Sequence, residues 1–224
     1  MSGRPLSLLP RRPDVMLLDF DGVILVSANI KTQAFAEVYR DEDPAKVAKV
    51  IAYQRAHGGV SRREKFIHFE DAIFGRPATE ARIQALSENF SRIALDRVLQ
   101  APLVSGAEDF LEATCRASHL HVISGSPQDE LLYIVSERGL ARFFRSVIGA
   151  PTQKPEAFSR IIRAHAVPPE RVLAIGDSTT EFEAARSLRI PFLGVLDEDH
   201  ASAFPADVPV VASLVGAASA LGFT

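Results

Sequence analysis

The stretch Val15-Met16-Leu17-Leu18-Asp19-Phe20-Asp21-Gly22-Val23 constrains the chain more than any other. A short apolar run closed by glycine reads as a buried strand that opens into a tight turn. This run ends in two carboxylates one residue apart. Two acids at the mouth of a buried strand cost free energy unless a cation lies between them. A hard divalent ion such as Mg2+, which prefers oxygen ligands, meets that need. A plain strand with an acidic turn fits the same letters, so the rest of the chain has to decide.

The 224 residues leave room for one domain, or one domain carrying a smaller insert. A hydrophobic fraction of 47% supports a core, and a net charge of −3 marks neither a nucleic-acid binder nor a polybasic membrane binder. The single cysteine, Cys115, excludes an internal disulfide and fits a reducing compartment. No apolar run approaches the roughly 20 residues that span a bilayer. The expectation is a cytoplasmic protein, a monomer or weak homodimer. Residues 1–13, with Arg4, Arg11, Arg12 and three prolines, read as a flexible leader.

From about residue 28 to residue 100 the pattern is helical. Ala34, Phe35, Val38 and Tyr39 recur at helical spacing, and Val47, Val50 and Ile51 continue behind an Asp43-Pro44 start. Gly58-Gly59 interrupts, and Ser61 with Glu64 three residues on predicts a capping box. Phe66, Phe69 and Phe74 follow, then a last helix from about Thr79 to Leu99. These phenylalanines are expected to form core. From Leu103 onward strands and helices alternate, with a helix expected over Ser105 to Ala117 and strands at Leu120–Ile123, Phe144–Ile148, Val172–Ile175, Phe192–Leu196 and Val208–Val211. The expected fold is α/β: a doubly wound, Rossmann-like parallel sheet over residues 14–27 and 101–224, with an α-helical cap inserted over residues 28–100. Asp197-Glu198-Asp199 reads as a solvated loop. His57 and His68 read as surface residues of the cap, and His119 and His121 as structural.

Ligands of open parallel sheets sit beyond the carboxyl ends of the strands. Three apolar runs end there in reactive side chains: Leu18 before Asp19, Ile123 before Ser124, and Ile175-Gly176 before Asp177. Lys154 precedes a helix start at Pro155, and Glu181 lies four residues after Asp177. Two acids, a hydroxyl, a lysine and a further acid pair suit phosphoryl transfer. An anionic phosphate ester repels an attacking carboxylate, so cations are needed around it. Asp19 is the expected nucleophile. Asp21 is the expected acid and base. Ser124 and the Gly125 amide would hold phosphoryl oxygens. Asp177 and Glu181 would complete a metal shell begun by Asp19 and the Asp21 carbonyl.

Asp-Phe-Asp-Gly-Val, Ile-Ser-Gly-Ser, Lys154-Pro155 and Gly-Asp-Ser-Thr-Thr-Glu together resemble the four motifs of the haloacid dehalogenase superfamily, in order. The inserted helices resemble the cap of its phosphoglycolate phosphatase and β-phosphoglucomutase branch. The resemblance implies an aspartyl-phosphate mechanism, a Mg2+ requirement and a small phosphorylated metabolite as substrate, with a phosphomutase as the alternative. A non-catalytic phospho-ligand binding protein on the same fold is the third reading, disfavoured because all the reacting positions are intact. The resemblance also disfavours dehalogenation, because Asp21 is present. Gly59-Val60-Ser61-Arg62 resembles the cap stretch that brings an arginine to the distal end of the substrate, so Arg62 is expected to clamp a distal anion. Lys31 falls where the branch often has a histidine facing the site. Val26 and Glu181 depart from the usual pattern, an acid being more common at the first and aspartate at the second.

Overall fold

The computed structural model describes residues 9–196 and 204–223. Six strands form one all-parallel sheet: β1 (Val15–Leu18), β2 (His119–Pro127), β3 (Ser146–Ala150), β4 (Val172–Gly176), β5 (Phe192–Val195) and β6 (Val210–Val211), in the order β3-β2-β1-β4-β5-β6. The central strand β1 is buried along its whole length between β2 and β4. Both faces are covered, which is why it reads as a continuous apolar run and not an alternating one.

Side-chain alternation sorts the strands between two cores. Met16, Leu18, Val122, Leu173 and Ile175 point to one face. There they meet Phe110 and Leu111 of α5 (Ala107–Thr114), Leu131 and Ile134 of α6 (Gln128–Glu137), and Leu221 beside α9 (Ala217–Ala220). Val15, Leu17, Val172 and Ala174 point to the other. Phe158 and Ile161 of α7 (Lys154–His165) and Ala184 and Ala185 of α8 (Thr179–Ser187) cover that side. This is the doubly wound α/β architecture expected.

The segment between β1 and α5 carries α1 (Ala28–Val38), α2 (Pro44–Ala56), α3 (Arg62–His68) and α4 (Glu80–Leu99). It is called the cap below. It has its own apolar cluster, built on Phe35, Tyr39, Phe66, Phe69, Phe74 and Phe90. Phe35 packs edge-on to Phe66 and Phe69 at 5.2 and 5.4 Å between ring centres, the geometry aromatic quadrupoles favour. The Ser61–Glu64 capping box is formed.

Several local expectations change. The helix expected over Ser105 to Ala117 is shorter, because Gly106 takes a left-handed φ of 77° immediately before it. Past α3 the chain widens into a π-helical turn, Phe69–Phe74, closed by Gly75. The last strand contains only Val210 and Val211. The leader is not loose at its end: Leu9 is buried in the core, and Arg12 bonds the Leu221 and Gly222 carbonyls. Residues 1–8 and the expected loop Asp197-Glu198-Asp199 lie outside the described residues. His57 and His68 are half-buried, stacked on opposite sides of the Tyr53 ring at 3.9 and 3.8 Å. No helix among the described residues is long and apolar enough to cross a membrane.

Candidate active site

Strand register sets the site. Leu18 pairs with Val122 on one side and Ile175 on the other, so the chain leaves three strands at nearly one height. Asp19, the stretch Ser124–Ser126 and Asp177 emerge together. Pairing of β2 with β3 is irregular between Ile123 and Pro127, and this bulged stretch carries Ser124, Gly125 and Ser126. Lys154 is the first residue of α7, so its side chain starts at the same end of the sheet.

Asp19 is 4% exposed, and its Oδ1 lies 3.0 Å from Lys154 Nζ. Lys154 Nζ also donates to Glu181 Oε1 in very close contact. Glu181 is itself buried and closes a capping box at the start of α8, where its Oε2 accepts from the Ser178 amide and hydroxyl. One oxygen each of Asp19, Asp177 and Glu181 falls within 4.8 Å of the others. Burial pushes the Asp19 carboxyl above its ordinary value; Lys154 opposes this and Asp21 adds to it. Burial, then the Asp19 charge, raises Asp177 too.

Asp21 faces the other way. Ser27 Oγ donates to its Oδ1 at 2.5 Å, and Lys31 Nζ to its Oδ2 at 2.5 Å. Ser124 Oγ reaches the same Oδ2 at 3.3 Å. Burial alone would raise this carboxyl, but Lys31 and the Ser27 bond outweigh burial and hold it below its usual value. The Asp21 carboxylate therefore stands outside the three-acid cluster, paired with the lysine of α1.

These residues pass a test for a divalent cation on geometry alone. Three carboxylates supply hard oxygen ligands. Their mutual repulsion is what a cation relieves. Gly22 is shaped around the cluster: with φ at +79°, a Cβ there would lie 2.1 Å from Asp177 Oδ2. Only a residue without a side chain lets that carboxylate stand where it does.

The cap closes over these groups. Gly59 N donates to Ser178 Oγ at 3.1 Å, and a Cβ on Gly59 would meet Glu181 Oε1 at 2.4 Å. Arg62 is placed differently from the expected distal clamp. Its guanidinium grips Glu130 of α6 at 2.5 and 2.9 Å, bonds Ser91 Oγ and lies 4.2 Å over Phe90. It still borders the enclosed space, which is lined by Asp19, Asp21, Lys31, Ser124, Gly125 and Asp177, with further cap residues above. Val26, the other departure, lies exposed where the chain crosses toward the cap, and its amide bonds the Pro102 carbonyl.

A family model described as haloacid dehalogenase-like hydrolase matches residues 13–189. The chain belongs to that family. Solved structures share the architecture of this hydrolase at low identity. A predicted phosphoglycolate phosphatase from Haemophilus somnus has a TM-score of 0.69 at 15% identity, covering 92% of this chain and 96% of that one. A mutant of CbbY from Rhodobacter sphaeroides, in complex with xylulose-(1,5)bisphosphate, scores 0.71 at 17%, covering 90% and 94%. β-Phosphoglucomutase from Clostridium difficile scores 0.70 at 17%, covering 90% and 91%. Sequence comparison with curated proteins finds no match.

Sequence reasoning missed two cap residues on the wall of this space, Gln54 and Lys65. A signal existed for both. Gln54 sits seven residues after Val47 in the stripe of α2, and Lys65 lies three after Arg62 and four before Phe69 in that of α3. A polar side chain in an apolar slot of a helix stripe is the informative exception.

Proposed function

We propose that this hydrolase is a Mg2+-dependent phosphatase acting on a small phosphorylated metabolite, with Asp19 as nucleophile. The observation that carries it is the buried Asp19 carboxylate, 3.0 Å from Lys154 Nζ and grouped with Asp177 and Glu181, at the bottom of a capped space. An anionic nucleophile can approach an anionic phosphate only where positive charge surrounds both. Lys154 is one such charge, and Asp19, Asp177 and Glu181 would hold the other. Magnesium bound there supplies a Lewis acid that neutralises phosphoryl oxygens.

Asp19 attacks phosphorus, and the bond to the leaving oxygen breaks as that oxygen takes the proton of a protonated Asp21. Water then attacks the aspartyl phosphate and frees inorganic phosphate. Its proton goes to Asp21, which Lys31 and Ser27 hold as the carboxylate able to accept it. Delivering a proton to the leaving oxygen in the first half requires the Lys31 contact to loosen. Ser124 and the Gly125 amide, both in the lining of the site, would hold the phosphoryl oxygens, and the cap over the site limits access of bulk water.

The test is phosphate release from a panel of phosphorylated metabolites, with Asp19→Asn as control. Removing a covalent nucleophile lowers kcat by at least about 10³-fold. Undiminished release by that variant refutes the assignment. Isomer formation dependent on a bisphosphate primer would favour the phosphomutase alternative.

A further inference from the structure

The four cations that serve the enclosed space are not equally committed. Lys154 is held by Asp19 and Glu181, Lys31 by Asp21 and Ser126, and Arg62 by Glu130. Lys65 has no carboxylate partner among the described residues. It is 3% exposed, and its Nζ makes one hydrogen bond, to the Gly58 carbonyl at 2.9 Å. An ammonium has three donors. One is used here, and the only other contact of this charge among the described residues is with the Phe35 ring, whose centre lies 5.8 Å away. A buried, unpaired ammonium is expensive. Burial, and then the charge of Lys31, pulls this amine down to about 7. On α2, Gln54 is 6% exposed and its Oε1 has no hydrogen-bond partner.

Both groups line the same space as Asp19 and Ser124, but from the cap. With a phosphoryl group at Asp19 on the core side, the remainder of the substrate would extend toward the cap residues of this lining. Residues of the core and of the cap line one shared space, so a ligand with its phosphoryl group at Asp19 has the cap residues as neighbours. Folding has left two buried polar groups with unmet bonding capacity, and a ligand that meets it recovers their desolvation cost. Phe35, Phe90 and Val60 are apolar neighbours in the same lining, and Arg62, which also borders it, is already taken by Glu130.

We propose that Lys65 and Gln54 form the leaving-group subsite, and that the substrate is a small phosphate ester whose carbon skeleton bears both an anionic oxygen group and a free hydroxyl. Lys65 takes the anion, and Gln54 Oε1 accepts from the hydroxyl. Lys65 is thus a specificity-determining residue that makes no contact with the reacting phosphorus. The assignment rests on the phosphoryl group lying at Asp19, as proposed above.

The experiment measures ligand binding calorimetrically to the full chain with magnesium, using Asp19→Asn so that nothing is consumed. The ligands are 3-phosphoglycerate, glycerol 3-phosphate without the carboxylate, 2-phosphoglycolate without the hydroxyl, and glycerol 1,3-bisphosphate with a second phosphate in its place. A charge-assisted bond to a buried lysine predicts that one of the two doubly anionic, hydroxyl-bearing ligands binds at least about 10-fold tighter than glycerol 3-phosphate. Lys65→Met, close to isosteric, removes that preference, and Lys65→Arg restores part of it. Gln54→Leu narrows the gap between 3-phosphoglycerate and 2-phosphoglycolate. Lys65→Met is expected to melt no lower than the parent, because it removes an unpaired buried charge. A preference that survives Lys65→Met, or no preference for either anion, overturns the subsite. Failure of the phosphatase reading is separate: it would show as absent phosphate release by the wild type while the binding contrast persists.

Discussion

Gly22 offers the cleanest perturbation of the acidic cluster, because a second glycine separates its two effects. Gly22 and Gly75 both have left-handed φ, 79° and 67°. A Cβ on Gly75 meets nothing within 4 Å, whereas one on Gly22 lies 2.1 Å from Asp177 Oδ2 and 2.8 Å from its Cγ. Gly75→Ala therefore carries only the backbone penalty, about 1–2 kcal/mol. For a chain of this length each 1 kcal/mol corresponds to roughly 2–4 °C in Tm. Gly22→Ala carries the same penalty and must also open the 2.1 Å approach to at least 3.4 Å. Asp177 leaves the position from which it shares an ion with Asp19 and Glu181. A misplacement of about 1 Å in a catalytic group costs on the order of 10²-fold in rate. The assay is the melting temperature with and without magnesium, beside phosphate release. At 100 times Kd a bound ion adds about 2.7 kcal/mol of stability, or roughly 5–10 °C by the same conversion. Gly75→Ala should keep this magnesium-dependent rise, and Gly22→Ala should lose most of it. Equal rises in the two variants, with equal activity, would falsify the placement of Asp177 in the ion site.

The clasp between Arg62 and Glu130 joins cap to core, with Arg62 buried and Glu130 largely so. Glu130→Gln leaves the guanidinium without its countercharge and should cost about 3 kcal/mol; limited proteolysis at the exposed crossing segment around Val26 should quicken, and an unchanged cleavage rate and Tm would remove the clasp. Proton linkage gives a further check. Burial and Asp19 raise the Asp177 carboxyl above its unfolded value, so the folded chain keeps that proton longer. Its stabilising contribution is complete below the ordinary carboxyl range and is lost as pH rises through the raised value. Metal-free protein should therefore lose stability as pH climbs above that range. Magnesium, which needs the deprotonated ligands, should reverse the slope. Parallel slopes with and without the ion would show that Asp177 does not bind it.

What the sequence makes legible follows from how local each cause is. An apolar run ended by an acid, a Ser-x-x-Glu box and a glycine after a helical stripe all act within a few residues. Strand β1, the Ser61 cap and the helices of the insert could therefore be read directly. The convergence of Asp19, Ser124 and Asp177 is not local, yet topology dictates it: parallel strands expose their carboxyl ends together. Neither kind of cause governs which partner a long side chain chooses across the gap between cap and core. Arg62 meets Glu130 and Lys31 meets Asp21 only because the cap docks at one particular height and angle. A sequence can show that Arg62 begins a helix; it cannot show that an acid 68 positions later will occupy it.

Gly59 makes the same point from the other direction. In the sequence it reads as part of a helix break, but α2 already ends at Ala56 with His57 at its C-cap, and Gly59 has no left-handed φ. In the fold the missing side chain also does something that helix termination does not require. A Cβ there would meet Glu181 Oε1 at 2.4 Å and Thr180 Cβ at 2.7 Å. The cap loop is thus seated directly on the turn that carries the acidic cluster. Lys65 hangs from the same loop through the Gly58 carbonyl. Any movement of this loop away from the core must therefore carry the unpaired lysine with it. A leaving group held by Lys65 and a phosphoryl group held at Asp19 pull on opposite sides of that seam. If Lys65 recognises the substrate as proposed, recognition is coupled to the seating of this loop, because Lys65 is fastened to the loop that rests on the acidic turn.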